Sequence, residues 1–235
     1  MTQKLSRKDF FRIAASGVAG GSIISKARAA DPMPSLASDL FFATRIPNGY
    51  TWTLASRLGD MLCLAEDLLG PRDLTYTILG IEIGPDIPRL WYPGSRHSVI
   101  VQLAPSAATD AARACYQLAH ETVHLLAPNG GGPATNLEEA VACYFAAYFM
   151  KSRFAQPAWH PDIPSYSRAL SLISQRMDAD VRCIKRLRSR QLSFSDIKKE
   201  QLLAEFPDLR SGDLDFLLAK FDREGTSNDT PSPPR

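Results

Sequence analysis

His120-Glu121-Thr122-Val123-His124 spells HExxH near the middle of the chain, and its reading decides what the flanking segments must be. Two histidines four residues apart project from one face of a helix, because the helical repeat stacks position i against i+4. Imidazoles so placed can share one Zn²⁺ at about 2.0–2.1 Å, leaving room for a third ligand and a water. Glu121 points to the neighbouring side, within reach of that water rather than of the metal, where a carboxylate serves as general base. Residues 109–127 supply the helix. Asp110 stands at its positive end, and Leu118, Val123, Leu125 and Leu126 give it apolar surface. Pro128-Asn129-Gly130 ends it.

Two histidines leave the site open. The next segment, Thr135-Asn136-Leu137-Glu138-Glu139-Ala140-Val141-Ala142-Cys143-Tyr144-Phe145, begins a second helix. HETVH followed by LEEAVACYF resembles the gluzincin branch of zinc metallopeptidases, in which a second helix brings a glutamate ligand. The later stretch is similar to the LNEGFASYF of zinc aminopeptidases. The resemblance covers residues 120–145. It implies Zn²⁺ held by His120, His124 and Glu139, Glu121 as the base, and a peptide or protein substrate.

The residues around the carboxylate pair also favour Glu139. Thr135-x-x-Glu138 fits a capping box, with Glu138 folded back onto the helix start. Glu139 shares its stripe with Ala142, Cys143 and Ala146, small enough for the two helices to approach closely. Glu138 shares a stripe with Val141, Phe145 and Phe149, a packing face. Were Asn136 the cap, Glu139 would occupy the third helical position instead, so Glu138 stays open as the alternative ligand. The chain departs from the aminopeptidases in two ways. Its gap from His124 to Glu139 is shorter, and Cys143 stands where relatives carry a small polar or acidic residue that supports a histidine ligand.

Ahead of this pair, residues 75–83 are rich in β-branched and aromatic side chains, and residues 90–92 and 97–103 flank Pro93-Gly94-Ser95. They predict a small antiparallel sheet before a mostly helical, zincin-like body, an α+β fold. Residues 97–103 read equally as an edge strand that pairs with substrate backbone or as a packed inner strand. Residues 52–69 carry a helical stripe of Leu54, Leu58, Met61, Leu62, Ala65, Leu68 and Leu69. After the pair, residues 165–190 read as one or two helices, with Arg182, Lys185, Arg186, Arg188 and Arg190 as a solvated face. Ser193 and Ser211 are the expected caps of two short helices further on.

The ends of the chain differ in character. Residues 1–30 combine Lys4, Arg7, Lys8 and Arg12 with a short apolar run and Ala27-Arg28-Ala29. This is the plan of a cleavable export signal, similar to the twin-arginine type with the general secretory route as alternative. The run is too short for a membrane span, so no stable anchor is expected after cleavage, and the protein is expected to be periplasmic or secreted. Residues 1–29 hold six of the 27 basic residues and one of the 25 acidic ones, leaving 21 basic and 24 acidic, a net charge of −3. Nucleic acid is therefore not an expected partner. Residues 31–224 form one domain, and residues 225–235 a Pro/Ser/Thr/Asn tail expected to be disordered.

Cys63, Cys115, Cys143 and Cys183 lie far apart in apolar helical patterns and read as free buried thiols. A peptidase also needs a donor for the oxyanion of its tetrahedral intermediate. His160, Tyr166, Tyr116 and His97 are the candidates, and no spacing rule selects among them. The expected function is an exported zinc-dependent metallopeptidase. Its rivals are a zinc-stabilised, non-catalytic binding protein of the cell envelope and a zinc hydrolase of a non-peptide bond. Glu121 between the histidines speaks for turnover, since a purely structural site needs no base.

Overall fold

The computed structural model describes residues 39–95, 97–155 and 164–222. The expected export signal, the tail and His160 lie outside them. A two-residue antiparallel ribbon, β1 (Arg45–Ile46) and β2 (Gly49–Tyr50), leads into α1 (Leu54–Leu69). Thr53 and Ser56 cap α1 reciprocally, each side chain accepting from the other's backbone N–H. The predicted stripe of α1 points inward, with Met61, Ala65 and Leu69 fully buried.

Three strands follow: β3 (Thr77–Ile83), β4 (Arg89–Trp91) and β5 (Ser98–Leu103). Their spatial order is β3-β5-β4, with β4 antiparallel to β5 as the Pro93-Gly94-Ser95 turn implies, and β3 parallel to β5. The fold is α+β, with small sheets ahead of a helical body. Of the two readings of residues 97–103, the inner strand holds and the edge strand does not. Val99, Val101 and Leu103 bury one face of β5 completely, and β3 and β4 occupy both of its hydrogen-bonding edges. β4 is the edge strand that borders the cleft described below.

α2 (Ala111–His124) starts at Asp110, whose carboxylate accepts from the Arg113 N–H at 2.9 Å. α3 (Asn136–Phe154) starts at Thr135, whose hydroxyl accepts from the Glu138 N–H at 3.2 Å. α3 is apolar on nearly every side, and Leu137, Ala140, Val141, Ala142, Ala146, Phe149 and Met150 are fully buried, so it forms the axis of the core. α2 and α4 (Pro164–Ala179) pack against it, and α1 packs on α2. Among the described residues no helix is long and apolar enough to cross a membrane.

α5 (Cys183–Leu187), α6 (Lys199–Glu205) and α7 (Ser211–Leu218) complete the chain. Neither predicted serine caps its helix. Ser193 caps a 3-10 turn at Phe194–Asp196, and Ser211 is the first helical residue of α7, after Arg210. Beyond α7 the backbone returns to the start of α3. Phe221 N–H donates to the Ala134 carbonyl (2.8 Å), Asn136 N–H donates to the Ala219 carbonyl (3.0 Å), and Asn136 Nδ2 donates to the Phe216 carbonyl (2.8 Å). Cys115, Cys143 and Cys183 are buried free thiols as expected, whereas Cys63 is an exposed one.

The predicted solvated face holds for Arg182, Lys185 and Arg186, which make exposed contacts with Asp67, Asp180 and Glu205. Arg188 breaks from it. Its side chain is among the largest fully buried ones, at 1% exposure. Nε donates to the Leu192 carbonyl (2.8 Å), Nη1 to those of Leu69 (2.9 Å) and Gly70 (3.2 Å), and Nη2 to that of Pro71 (3.0 Å). Burial pushes this guanidinium down to about 10, against the charge of Glu138, which pulls the other way. The end of α1 and the segment after α5 are thus tied to one planar cation. Arg188→Met should therefore destabilise the protein by about 3–5 kcal/mol, because it strands several buried carbonyls at once. Chemical denaturation of both proteins checks this, whereas a surface arginine would cost under about 0.5 kcal/mol.

Candidate metal centre

The last turns of α2 face the first turn of α3. Basic groups at a helix C-terminus and acids at an N-terminus each sit favourably on the dipole, so this is a natural meeting place for histidines and glutamates. His120 Nε2 lies 3.1 Å from Glu139 Oε2 and 3.3 Å from His124 Nε2, and His124 Nε2 lies 3.7 Å from the same Glu139 oxygen. A tetrahedral ion with bonds of about 2.0–2.1 Å needs ligand atoms roughly 3.3–3.4 Å apart. The three separations straddle that value. His120, His124 and Glu139 thus form a group able to hold a metal ion. The structure brings together the three residues expected from the sequence.

Burial alone would push the His124 imidazole down, but the charge of Glu139 and hydrogen bonds to Glu138 and Glu139 hold it well above its ordinary value. The same contacts act on Glu139 in reverse. Burial would raise its carboxyl, yet His124 and His120 hold it well below the usual carboxylate range. A charged imidazole and a carboxylate compensate each other in the metal-free pair, as a cation bound between them would.

Glu138 departs from the capping box. Its backbone N–H binds Thr135 as that motif requires, but its carboxylate turns away from the helix start and accepts from His124 Nδ1 at 2.8 Å. Glu138 is 3% exposed, and a buried carboxylate gains more from an imidazole than from a backbone N–H. The contact fixes the ring with Nε2 toward Glu139, the carboxylate–histidine arrangement that orients metal ligands. His120 has a weaker support, with Cys143 Sγ at 3.8 Å from its Nδ1. Burial and the charge of Glu139 push the Cys143 thiol well above its ordinary value, so it stays neutral.

A cleft of about 290 Å³ opens beside the group. Glu121, His124, Glu138 and Glu139 line it from the two helices, β4 contributes Arg89, Leu90 and Tyr92, and Phe221 reaches it from the returning C-terminal segment. Gly131 and Gly132 line the rim, as the sequence suggests for the connection between the two helices. Gly130 and Gly131 adopt φ of 68° and 91°, which glycine takes without strain, and Asn129 braces the turn. Its Oδ1 accepts from Gly131 N–H (3.1 Å), and its Nδ2 donates to the Gly132 carbonyl (2.6 Å).

None of the described oxyanion candidates lines this cleft. His97 packs on Tyr76, with ring centroids 5.1 Å apart. Tyr116 hydrogen-bonds the Cys143 thiol. Tyr166 stands edge-on to His120 at 6.1 Å and against Phe221 at 4.4 Å, bracing the histidine. The tyrosine that does line the cleft is Tyr92. Burial pushes its phenol up to about 12, while the backbone of Gly130 pulls the other way, so the O–H stays protonated. Its place at the end of β4 puts it there, and no motif in the sequence singles it out.

Comparison of the chain with protein-family models, curated proteins and solved structures finds no match.

The geometry predicts one tightly bound divalent ion per chain, measurable by elemental analysis after dialysis. His120→Ala, His124→Ala and Glu139→Ala should each abolish retention. Glu138→Gln should keep the ion but weaken it about 10–100-fold, because it loosens a ligand without removing one. Full retention by Glu139→Ala with loss in Glu138→Ala would reverse the two roles. Uptake should release protons and weaken toward acid pH, because the imidazoles must bind as neutral bases.

Proposed function

We propose that this chain is an exported zinc metallopeptidase of gluzincin type. The observation that carries the reading is the convergence of three ligand atoms near tetrahedral spacing, with Glu121 among the residues that line the cleft beside them. Two imidazoles and one carboxylate are the donor set of catalytic zinc, which keeps one position open. Zn²⁺ in that group would acidify a water and polarise a substrate carbonyl.

The chain's own residues supply the rest. Glu121 takes the proton of the attacking water and returns it to the departing amine nitrogen, so that the amide C–N bond breaks with charge balanced. Glu138 and Cys143 hold the two imidazoles in orientation. Tyr92 contributes a neutral O–H for the oxygen that gains charge when the carbonyl carbon becomes tetrahedral. β4, the edge strand bordering the cleft, offers its outer backbone groups to an extended peptide, the part that one of the two readings gave to residues 97–103.

Glu121→Gln tests the reading, because it preserves shape and one acceptor but takes up no proton near neutrality. With a diverse peptide mixture read by mass spectrometry, the zinc-loaded wild type should cleave in a chelator-sensitive way. The variant should keep its metal and lose about 10²–10⁴-fold in rate. Undiminished cleavage by zinc-replete Glu121→Gln would refute the assigned base. A wild type that binds zinc tightly and cleaves nothing would leave the ion a structural role.

A further inference from the structure

The three-stranded sheet has two faces, and they differ in kind. Leu90 pairs with Val101 on the inner face, where Val99 and Val101 are fully buried and α1 and α2 pack on the sheet. The residues on either side of Leu90 belong to the outer face. Trp91 pairs with Ile100 of β5, whose neighbour on β3 is Gly80. Arg89 pairs with Gln102 of β5, whose neighbour on β3 is Glu82. Two rows of three thus cross the outer face side by side, about 7 Å apart, since each strand residue rises about 3.4 Å.

The polar row is fixed by its own hydrogen bonds. Gln102 Nε2 donates to Glu82 Oε1 at 2.6 Å, and Arg89 Nε donates to Gln102 Oε1 at 2.8 Å. At the end of the row the guanidinium meets Asp86 loosely, with Nη1 to Oδ2 at 3.8 Å and both side chains open to solvent. An exposed pair of this length contributes little and exchanges readily. Two hydroxyls on adjacent carbons fit such a pair: one oxygen accepts from the guanidinium while the other O–H donates to the carboxylate.

The second row supplies a stacking surface. Trp91 is 43% exposed, and Gly80 keeps the strip beyond Ile100 open, since a Cβ there would meet no atom within 4 Å. The C–H face of a pyranose ring packs on an indole, whose own face carries the negative end of its quadrupole. A ring seated there directs its hydroxyls toward the neighbouring polar row. Charge then selects among sugars. Among the described residues of the polar row and its flank, one guanidinium stands against two carboxylates, Glu82 and Asp86. Phosphates and uronates are therefore repelled, whereas neutral hydroxyls find both a donor and an acceptor.

We propose that the outer face of this sheet binds neutral pyranose glycans, with Trp91 stacking on one sugar ring while Arg89 and Asp86 hold its vicinal diol. The inference does not rest on the peptidase reading. Calorimetry of the purified protein tests it with four tetrasaccharides: cellotetraose, chitotetraose and mannotetraose, which are neutral, and tetragalacturonate, which is anionic.

At least one neutral probe should bind, about tenfold or more tightly than tetragalacturonate. Trp91→Ala should weaken that binding about tenfold, and Trp91→Tyr should retain most of it because an aromatic face remains. Arg89→Gln should weaken it about threefold or more, because the diol loses its charged donor. Unchanged thermal unfolding midpoints show that the variants are folded, and retention by Trp91→Tyr separates a lost stacking face from a damaged sheet. No binding by any neutral probe at millimolar concentration would overturn the inference. So would tetragalacturonate binding as tightly as the best neutral probe, or an affinity that survives either Trp91→Ala or Arg89→Gln.

Discussion

Four ionisable side chains, His120, His124, Glu138 and Glu139, meet between the end of α2 and the start of α3, each largely shielded from water. Burying any one of them alone would cost several kcal/mol. They are tolerated because each answers another: Glu138 binds His124 from behind, while Glu139 faces both imidazoles. Much of the surrounding architecture serves this mutual satisfaction. Small residues at Ala142, Cys143 and Ala146 allow close approach of the helices, and Thr135 fixes where α3 begins and so where its first-turn carboxylates point. Tyr166 stands edge-on to His120 and is itself packed against Phe221.

Local rules reached part of this. The i, i+4 spacing of His120 and His124 and the stripe shared by Glu139 with small residues are properties of single helices, so both could be read before any tertiary contact was known. The stripe of α1 and the turn between β4 and β5 were legible for the same reason. Glu138 was misread because Thr135-x-x-Glu138 satisfies two local geometries, and the choice between a backbone N–H and the His124 ring is made by a different helix.

Arg188 illustrates the same limit more sharply. Among five cations in nine residues nothing local distinguishes the one that turns inward, and most of its partners lie about 118 residues earlier in the chain. The place of β5 was also beyond its own pattern. Val99, Val101 and Leu103 report one buried face, but whether a strand is central depends on which neighbours find its two edges. Tyr92 and Phe221 line the cleft through topology, which the residue types and spacing of a single segment do not report.

The backbone contacts between residues 219–221 and 134–136 bear on how the protein reaches its final state. Asn136, at the head of the helix that carries both glutamates, is held by carbonyls about 80 residues further along the chain. Contacts of such long sequence separation close late, since the entropy of the intervening loop must be lost before they form. During synthesis, α2 and α3 can pair well before the segment that locks their junction has emerged. The metal-binding geometry is therefore a late product of folding, completed by some of the last described residues, and a nascent chain would carry its histidines and glutamates without the frame that aims them.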